Sequence, residues 1–404
     1  MKKICYLAPQ LTALESTFVY EELFALERRG LCVIPVSVSR AENYLIGHDD
    51  LLRRTHYLYN GNILTNLLNS VAAFIKVGYK HRKGLKLLLS DMWALGPFSL
   101  QSWKLAYQYI ISSQLAMILL NEKCDHLHVH FAHISTQIAM YAAAMASVPF
   151  TIMAHANDIF ERGLLLKEKS LRAEKMLTIS NYNCSHLVSA GVPKDKLAVV
   201  RCGVSFQSSK IRTRFKEKEN YRIGTLARLV EKKGIDDLLQ ALAILRDLPY
   251  RLELTIAGSG PLRSELESLV SRLGLKNSVS FEGSLDHNEV TEWMRSIDIF
   301  VLACKQDSNG DMDGIPVVLM EAMSQSVPVI STRLSGIPEL IVDEQTGLLS
   351  EQASPKEIAI NIERYIKSPS LCTKLSNNAI EHINREFGQD INIDRLLVHF
   401  GMTK

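Results

Sequence analysis

The strongest constraint on the fold is an alternation of short, β-branched apolar runs with longer helical patterns along most of the chain. Such alternation is typical of βαβ units, and therefore of a mostly parallel sheet with helices on both faces. In the first half, strands are predicted at 3–8, 31–38, 126–131, 150–153, 176–179 and 197–200. The sequence therefore predicts an α/β protein that begins with a doubly wound domain.

A polar stretch at residues 205–220, SFQSSKIRTRFKEKEN, interrupts this alternation and indicates a linker between two domains. The alternation then restarts, with strands predicted at 221–227, 251–257, 279–282, 298–303 and 327–330. We therefore expect an N-terminal domain over 1–204 and a second doubly wound domain over 221–380. We also expect a C-terminal helix at 381–404, which could pack back on the first domain.

Composition excludes several classes of protein. The chain has 404 residues, of which 47% are apolar and 22% charged, so it is neither a disordered polymer nor a small disulfide scaffold. Its 46 basic and 43 acidic residues are too balanced to favour nucleic-acid binding. Residues 1–200 carry 21 Lys/Arg against 15 Asp/Glu, whereas 201–404 carry 25 against 28, so the two halves should meet different partners.

The spacing of the cysteines and the hydropathy of the chain indicate the cellular compartment of the protein. Seven scattered cysteines without a C-x-x-C pattern indicate neither a disulfide framework nor a thiolate zinc site. The first residues lack the apolar run of a signal peptide, and no stretch reaches the roughly 20 apolar residues of a membrane-spanning helix. We expect a cytoplasmic protein whose only membrane attachment is peripheral, at the inner face.

The most informative segment is DMDGIPVVLMEAM at 311–323, which follows the strand predicted at 298–303. Pro316 suits a first helical turn, and free amides at such a helix start can bind sugar hydroxyls or phosphate. Asp313 precedes this helix and Glu321 lies within it, so two carboxylates can reach one polyhydroxyl ligand. As an isolated pair, the same residues would be a helix-capping Asp and a solvated Glu.

This segment resembles the signature E-G-x-P-x-x-x-x-E-A of the retaining glycosyltransferases of family 4, the glycosyl transferases group 1, and in particular of exopolysaccharide-building members. The similarity extends to HAND at 155–158, RLVEKKG at 228–234, GSGPL at 258–262, SGIPE at 335–339 and TGLL at 346–349. The resemblance implies the GT-B fold, in which two Rossmann-like doubly wound domains face each other across a cleft. The N-terminal domain would bind the acceptor and the C-terminal domain the nucleotide sugar.

The resemblance also implies roles in donor binding. Arg228 and Lys233 would hold the diphosphate of the donor, because fixed cations stabilise a departing diphosphate without a metal. Glu321 would bind the ribose and Asp313 the donor sugar. The other donor-binding residues would be those of the loop and helix start, Gly314, Ile315, Pro316 and Val317.

The N-terminal domain contributes a second set of implied residues. His155 would lie near the reacting carbon or its phosphate, with Asp158 beside it as an orienting group or acceptor contact. A buried, satisfied histidine is the alternative. The loop QLTALESTF at 10–18 replaces the glycine-rich loop common in the family, and its Ser16 and Thr17 would face the acceptor or else cap the next helix.

The implied activity is retaining transfer of a hexose from a nucleotide sugar to a hydroxyl of a glycan or lipid-linked glycan in polysaccharide biosynthesis. A UDP-sugar is the first expectation for the donor and GDP-mannose the second. No cofactor or metal is expected in the chemical step, and the departing phosphate would serve as the base. Because Asp313 stands where the family has Glu, the alternative is a catalytically silent nucleotide-sugar-binding subunit.

Three patterns suggest other chemistry. Asp311 and Asp313 spell the DxD metal signature of another glycosyltransferase fold, but the loop, proline and helix around them favour the metal-free interpretation. The run GSG at 258–260 lacks the third small residue of a dinucleotide-binding turn. A metal cluster is suggested by His126, His128, His130 and His133. The sequence shows no thiolate or carboxylate ligand to accompany these histidines, which argues against that cluster.

A basic stretch at 76–86, KVGYKHRKGLK, places Lys76, Lys80 and Lys83 on one face of a predicted helix. Such a face indicates docking on an anionic membrane surface, which a lipid-linked acceptor would explain. An ordinary solvated basic face is an equal alternative, because two glycines weaken the helix.

Overall fold

A computed structural model describes residues 2–13, 17–41, 49–161, 163–203 and 215–402, apart from the side chains of His287 and Asn288. The chain divides into two compact units. The first comprises Met1–Gly203 together with Asn392–Lys404, and the second comprises Val204–Ile391.

The described strands of the first unit are β1 Lys3–Ala8, β2 Cys32–Ser37, β3 His56–Tyr57, β4 His126–His130, β5 Phe150–Ala154, β6 Lys175–Thr178 and β7 Leu197–Val199. They form one parallel sheet in the order β3-β2-β1-β4-β5-β6-β7. Its helices within the described ranges are α1 Thr17–Arg28, α2 Asp49–Arg54, α3 Ile63–Val77, α4 His81–Leu95, α5 Leu100–Asn121, α6 Ile134–Ala146, α7 Ala156–Phe160, α8 Leu166–Arg172 and α9 Asn181–Ser189.

Strand β1 shows why this sheet has helices on both faces. Cys5 and Leu7 belong to one hydrophobic core, and Ile4 and Tyr6 to another on the opposite face. All four side chains are fully buried, because successive residues of a strand point to opposite sides. A central parallel strand therefore needs an apolar residue at nearly every position.

The described strands of the second unit are β8 Asn220–Leu226, β9 Arg251–Ala257, β10 Val279–Gly283, β11 Ile299–Val301, β12 Val329–Thr332 and β13 Leu348–Ser350. They form a parallel sheet in the order β10-β9-β8-β11-β12-β13. The helices described there are α10 Ile235–Ile244, α11 Arg263–Arg272, α12 His287–Ser296, α13 Val317–Ser324, α14 Ile337–Leu340, α15 Pro355–Lys367 and α16 Pro369–Glu386.

The C-terminal segment differs in its bounds from the helix expected at 381–404. Helix α16 continues to Glu386 within the second unit, and a separate helix, α17 Gln389–His399, follows it. Ile393, Leu396 and Phe400 are buried in the same core as Ile4 of β1. The apolar face of the last helix thus completes the core of the first unit, which is why residues from Asn392 onward belong to that unit.

The basic stretch at 76–86 is not one helix, and the prediction of a shared helical face is wrong. Helix α3 ends at Val77, because Gly78 takes a left-handed φ of 60° and its N–H closes the last turn. A short 3₁₀ turn over Gly78–Lys80 follows, and α4 begins at His81. Lys76 and Lys83 therefore lie on different helices.

Candidate active site

The loop after β8 presents the cations expected to bind the donor diphosphate. Arg228 is exposed, whereas Lys233 keeps only 16% of its side chain exposed. Gly234 ends the loop with a φ of 60°, and a Cβ there would lie 1.9 Å from the carbonyl oxygen of Ala303. Only glycine can hold this loop so close to the end of β11. The backbone contact therefore fixes the position of Lys233.

The glycine-rich turn after β9 supports the same loop. A Cβ on Gly258 would lie 1.9 Å from the oxygen of Ala227, and one on Gly260 would lie 2.5 Å from that of Leu229. The Leu229 N–H donates to the Ser259 carbonyl at 2.9 Å. The two glycines are therefore required by close packing between loops at the carboxyl edge of the sheet, where open α/β sheets bind ligands.

Asp313 lies among three groups that stabilise its charge. Lys233 Nζ is 2.6 Å and Lys232 Nζ 3.7 Å from its carboxylate, and the Cys304 thiol donates to it at 3.4 Å. Lys232 also pairs with Asp311 at 2.7 Å. The structure thus brings together Lys233 and Asp313, which the sequence assigned separately to the phosphate and the sugar.

The charges of this pair shift both pKa values in the direction that favours ionisation. Burial by itself would raise the pKa of Asp313, but Lys233 and Lys232 outweigh burial and lower it. Burial by itself would likewise lower the pKa of Lys233, but the charge of Asp313 outweighs burial and raises that pKa. Both groups are therefore charged at neutral pH, in a site with little water.

Cys304 is a residue of this site that sequence reasoning missed. It follows β11 and is fully buried, and burial together with the neighbouring Asp313 raises the pKa of its thiol well above the usual value. The thiol therefore stays protonated and serves as a donor to the carboxylate. Its place at the carboxyl end of a central strand was the one signal in the sequence.

Helix α13 carries the remaining predicted donor residues. Pro316 is the N-cap, one residue before the helix, and Val317 is the first helical residue. Gly314 and Ile315 are buried in the loop, and Glu321 is half-buried within the helix. The loop that contains Asp313 and the start of α13 thus follow β11. The loop that contains Lys233 follows β8, which is the neighbour of β11 in the sheet.

In the first unit, His155 stands between β5 and α7 and is 6% exposed. Asp158 Oδ1 accepts the His155 backbone N–H at 2.8 Å, and the Asp158 backbone N–H donates to the His155 ring. The other carboxylate oxygen accepts the Ala132 N–H. Asp158 is thus a capping and positioning group for the backbone of His155. Burial raises the pKa of Asp158 to about 7.

The His155 ring continues into a buried chain of polar groups. His155 Nε2 lies 3.2 Å from His130 Nδ1, and His130 Nε2 lies 3.1 Å from Glu22 Oε1. His128 Nε2 is 3.4 Å from the same oxygen, and the Tyr6 hydroxyl is 2.6 Å from His130. Burial lowers the pKa of His155 well below its usual value, so its ring is neutral.

The sequence-based argument that no carboxylate accompanies the histidines is wrong, because α1 brings Glu22 to His128 and His130. Their ligand atoms lie within 4.8 Å of one another, a spacing that also suits a metal ion. His126 contacts Thr151 instead, and His133 stacks on Phe131. The predicted set of four histidines therefore divides into separate environments.

The first-loop residues are only partly covered by the structure. Ser16 lies outside the described residues. Thr17 is the first residue of α1, after the carboxyl end of β1. Glu22, on the same helix, is the acidic neighbour of His130 described above.

The chain matches the model of the family described as glycosyl transferases group 1 over residues 207–382, and that of Glycosyltransferase Family 4 over 95–208. It is 30% identical to the amylovoran biosynthesis glycosyltransferase AmsK of Erwinia amylovora over 318 residues, which cover 74% of this chain and 76% of AmsK. It is 31% identical to the putative colanic acid biosynthesis glycosyltransferase WcaL of Escherichia coli K12, over 59% of this chain and 60% of WcaL. It is 30% identical to a GDP-mannose-dependent phosphatidylinositol monomannoside mannosyltransferase of Mycobacterium tuberculosis, over 45% of this chain and 49% of that protein.

Solved structures share the whole fold at low sequence identity. Alr3699/HepE of Anabaena, in complex with UDP and glucose, superposes with a TM-score of 0.72 and 15% identity, over 100% of both chains. The apo form of the lipopolysaccharide outer core galactosyltransferase WaaB superposes with a TM-score of 0.70 and 16% identity, over 99% of each chain. With two Rossmann-like parallel domains and these family matches, the chain belongs to the glycosyl transferases group 1, glycosyltransferase family 4, and is a glycosyltransferase of the GT-B fold.

Proposed function

We propose that this glycosyltransferase moves a hexose from a nucleotide sugar to a hydroxyl of a glycan or lipid-linked glycan in polysaccharide biosynthesis, with retention at the anomeric carbon. The observation that carries the proposal is the ion pair between Lys233 and Asp313, beside Lys232, at the carboxyl edge of a parallel sheet. The names of AmsK and WcaL, which concern amylovoran and colanic acid, support a polysaccharide as the product.

The cations of the second unit would stabilise the leaving group. As the bond between the anomeric carbon and the phosphate oxygen breaks, negative charge grows on the diphosphate, and Arg228 and Lys233 offset it. The acceptor oxygen forms the new bond on the same face, and its proton passes to the departing phosphate oxygen. In this scheme Asp313 binds a sugar hydroxyl, Glu321 the ribose, and the amides from Gly314 to Val317 complete the donor site.

A UDP-sugar remains our first proposal for the donor and GDP-mannose the second. The complexes of Alr3699/HepE with UDP support the first, and the GDP-mannose-dependent relative of M. tuberculosis supports the second. A thermal-shift panel of UDP-, GDP- and ADP-sugars would distinguish them, because a ligand that binds only the folded protein raises its Tm. No stabilisation by any nucleotide sugar would contradict the proposed function.

We propose that the chemical step needs no metal ion, since Lys232 and Lys233 already supply positive charge in the loop proposed to bind the diphosphate. Transfer measured with and without EDTA tests this statement. Unchanged rates are expected, whereas complete loss that Mg²⁺ or Mn²⁺ restores would assign Asp311 and Asp313 to a metal instead.

The catalytically silent alternative rests on Asp313 in place of Glu. Release of nucleoside diphosphate that depends on both donor and acceptor would exclude this alternative. The anomeric configuration of the product, read by NMR, would then test retention, and inversion would contradict the proposed mechanism while leaving the fold untouched.

We also propose contact with an anionic membrane through the surface of α3 to α5. Residues 62–121 include six Lys/Arg and one acidic residue, Asp91, whose carboxylate is buried and bound by Arg172 at 2.6 Å. The other charged side chains of this segment are therefore all basic, and they include Lys76 and Lys83, which are exposed, and Lys80, which is half-buried. The surface is also apolar, with the exposed large side chains Ile63, Leu64, Leu67, Leu68, Val71, Ile75, Tyr79, Leu85, Leu89, Trp93, Phe98, Leu100 and Trp103.

Such a combination of exposed apolar, aromatic and basic side chains is typical of helices that lie in the membrane interface. None of the described helices is long and apolar enough to cross a bilayer. Contact at the surface would bring the protein to a lipid-linked acceptor.

A further inference from the structure

The first unit contains a groove apart from the residues implied by the family resemblance. It has a volume of about 500 Å³ and lies between α5, α6 and the segment that follows α7. Its polar lining comes from Gln101, Lys104, Gln108, His133, Gln137 and Glu161. Leu105 and Ile134 add apolar surface to the same lining.

Two glutamines in this groove are buried to an unusual degree for their type. Gln108 is 8% exposed and Gln137 is 6% exposed, although glutamine is mostly found at the surface. Gln108 Oε1 has no hydrogen-bond partner in the described part of the chain. A buried amide oxygen without a donor is costly, so a ligand that donates to it would supply the missing bond.

We infer that this groove binds a sugar unit of the acceptor glycan. Hydroxyl groups both donate and accept, and they match the amide groups of Gln101, Gln108 and Gln137. The C–H faces of a sugar ring match the apolar surface of Ile134, which is 41% exposed. Lys104 adds a donor at the start of α5, which suits a hydroxyl or an acidic substituent. This inference rests on the proposed transfer to a glycan.

The position of the groove within the first unit supports the same occupant. One side is formed by the start of α5, where Leu100 and Trp103 are 71% and 60% exposed. Another is formed by Glu161, which follows the helix that begins after His155. An acceptor in the groove would thus lie next to the exposed apolar side chains at the start of α5, which suits a lipid-linked glycan.

Saturation-transfer NMR with methyl glycosides of glucose, galactose, mannose and fucose tests the groove directly. The wild-type protein is expected to give a saturable signal with at least one glycoside. Gln108→Leu and Gln137→Leu should each weaken that binding about tenfold, the effect of losing a ligand hydrogen bond. Gln108→Leu should not lower the Tm, because it removes an amide oxygen that has no partner in the protein.

Gln114→Leu is the matched control on the same helix. The Gln114 amide donates to Ser70 Oγ at 2.6 Å and is not part of the groove lining, so glycoside binding should be unchanged. No saturable signal with any glycoside, or a signal that Gln108→Leu and Gln137→Leu leave unchanged, would overturn the inference. Nucleoside-diphosphate binding depends on the second unit and should be normal in all three variants. Its absence from the wild type would contradict the proposed function instead.

Discussion

Lys233 Nζ lies 2.6 Å from Asp313 Oδ2, so the cation proposed to hold the donor diphosphate is neutralised by the carboxylate proposed to hold the donor sugar. Both side chains are about 15% exposed, and Lys232 stands 3.7 Å from the same carboxylate. A donor entering this site would give Lys233 a second negative partner. In the proposed mechanism, the pair couples phosphate binding to the position of Asp313.

Replacing the lysine should remove the phosphate contact. Lys233→Ala is expected to lower kcat/KM for the donor by about 100-fold or more, because the developing phosphate charge loses a fixed cation. Arg228→Ala should act in the same direction. Steady-state kinetics and calorimetric titration with nucleoside diphosphate measure the effects. Lys276→Ala, at an exposed lysine of the same unit, is the control, and wild-type kinetics in Lys233→Ala would refute the assignment.

Asp313→Asn should separate binding from turnover. The uncharged amide no longer competes for Lys233, so free nucleoside diphosphate is expected to bind at least as tightly as to the wild type. The kcat should fall about 100-fold, since a hydrogen bond to the sugar that strengthens in the transition state is weakened. Equal losses in diphosphate affinity and kcat would contradict the proposed division of roles. If the protein is instead a catalytically silent nucleotide-sugar-binding subunit, Asp313→Glu should create transferase activity.

Gly234→Ala tests the backbone contact that holds the loop proposed to bind the diphosphate. A Cβ would lie 1.9 Å from the Ala303 oxygen, so we expect about 3 kcal/mol of destabilisation or a shifted loop, with weaker diphosphate binding. Gly274→Ala is a matched control, because Gly274 has a similar φ of 73° with no atom within 4 Å of the new Cβ. It should cost only about 1 kcal/mol, with normal binding. Equal Tm losses in the two variants would contradict the close contact.

The membrane proposal predicts that reversing three charges releases the protein from anionic vesicles. Lys76→Glu, Lys80→Glu and Lys83→Glu together should lower cosedimentation with phosphatidylserine vesicles at least about tenfold, since each lysine contributes about 1 kcal/mol near the surface. Added salt should weaken the wild type likewise. The control is a triple Lys→Glu reversal at three exposed lysines of the second unit, Lys276, Lys356 and Lys374. It changes the net charge by the same amount and should leave vesicle binding intact. Equal effects of the two triple variants would reject a specific face.

The buried histidines predict that acid destabilises the first unit. Burial lowers the pKa of His126 to about 3 and also lowers those of His128 and His155, so these rings take up protons on unfolding as the pH falls below about 6.5. Asp158 has a raised pKa of about 7 and releases one proton on unfolding. Three rings take up protons and one carboxyl group releases one, so unfolding takes up protons on balance between pH 6 and 5.

The free energy of unfolding of the first unit should therefore decrease as the pH falls through this range, by about 1.4 kcal/mol per pH unit for each net proton taken up. Urea denaturation followed at pH 6.0, 5.5 and 5.0 measures it. His126→Gln removes one group that takes up a proton on unfolding, so it should reduce the slope by up to about 1.4 kcal/mol per pH unit. A stability that does not change over this range would show that the rings are not buried and neutral.

Local patterning determined much of the fold and of the candidate donor site. The predicted strands at 3–8, 251–257 and 150–153 match observed strands to within one residue. The first and the last of these are buried at almost every position, as strands inside a parallel sheet are, whereas 251–257 alternates buried and more exposed residues. The loop that contains Lys233, and the loop and helix that contain Asp313, could be located because turn glycines and a helix-starting proline have local causes.

The rest depended on contacts between residues distant in sequence, which only the tertiary structure decided. Glu22 joins His130 because β1 and β4 are neighbours in the sheet, and Cys304 meets Asp313 because a loop folds back over the end of β11. Gly78 interrupts the basic stretch through a left-handed turn that helical periodicity does not reveal. The buried oxygen of Gln108 likewise becomes visible only when α5 and α6 are packed together. Burial and pairing of polar groups are properties of three-dimensional neighbours, and they decide which of the candidate residues form a site.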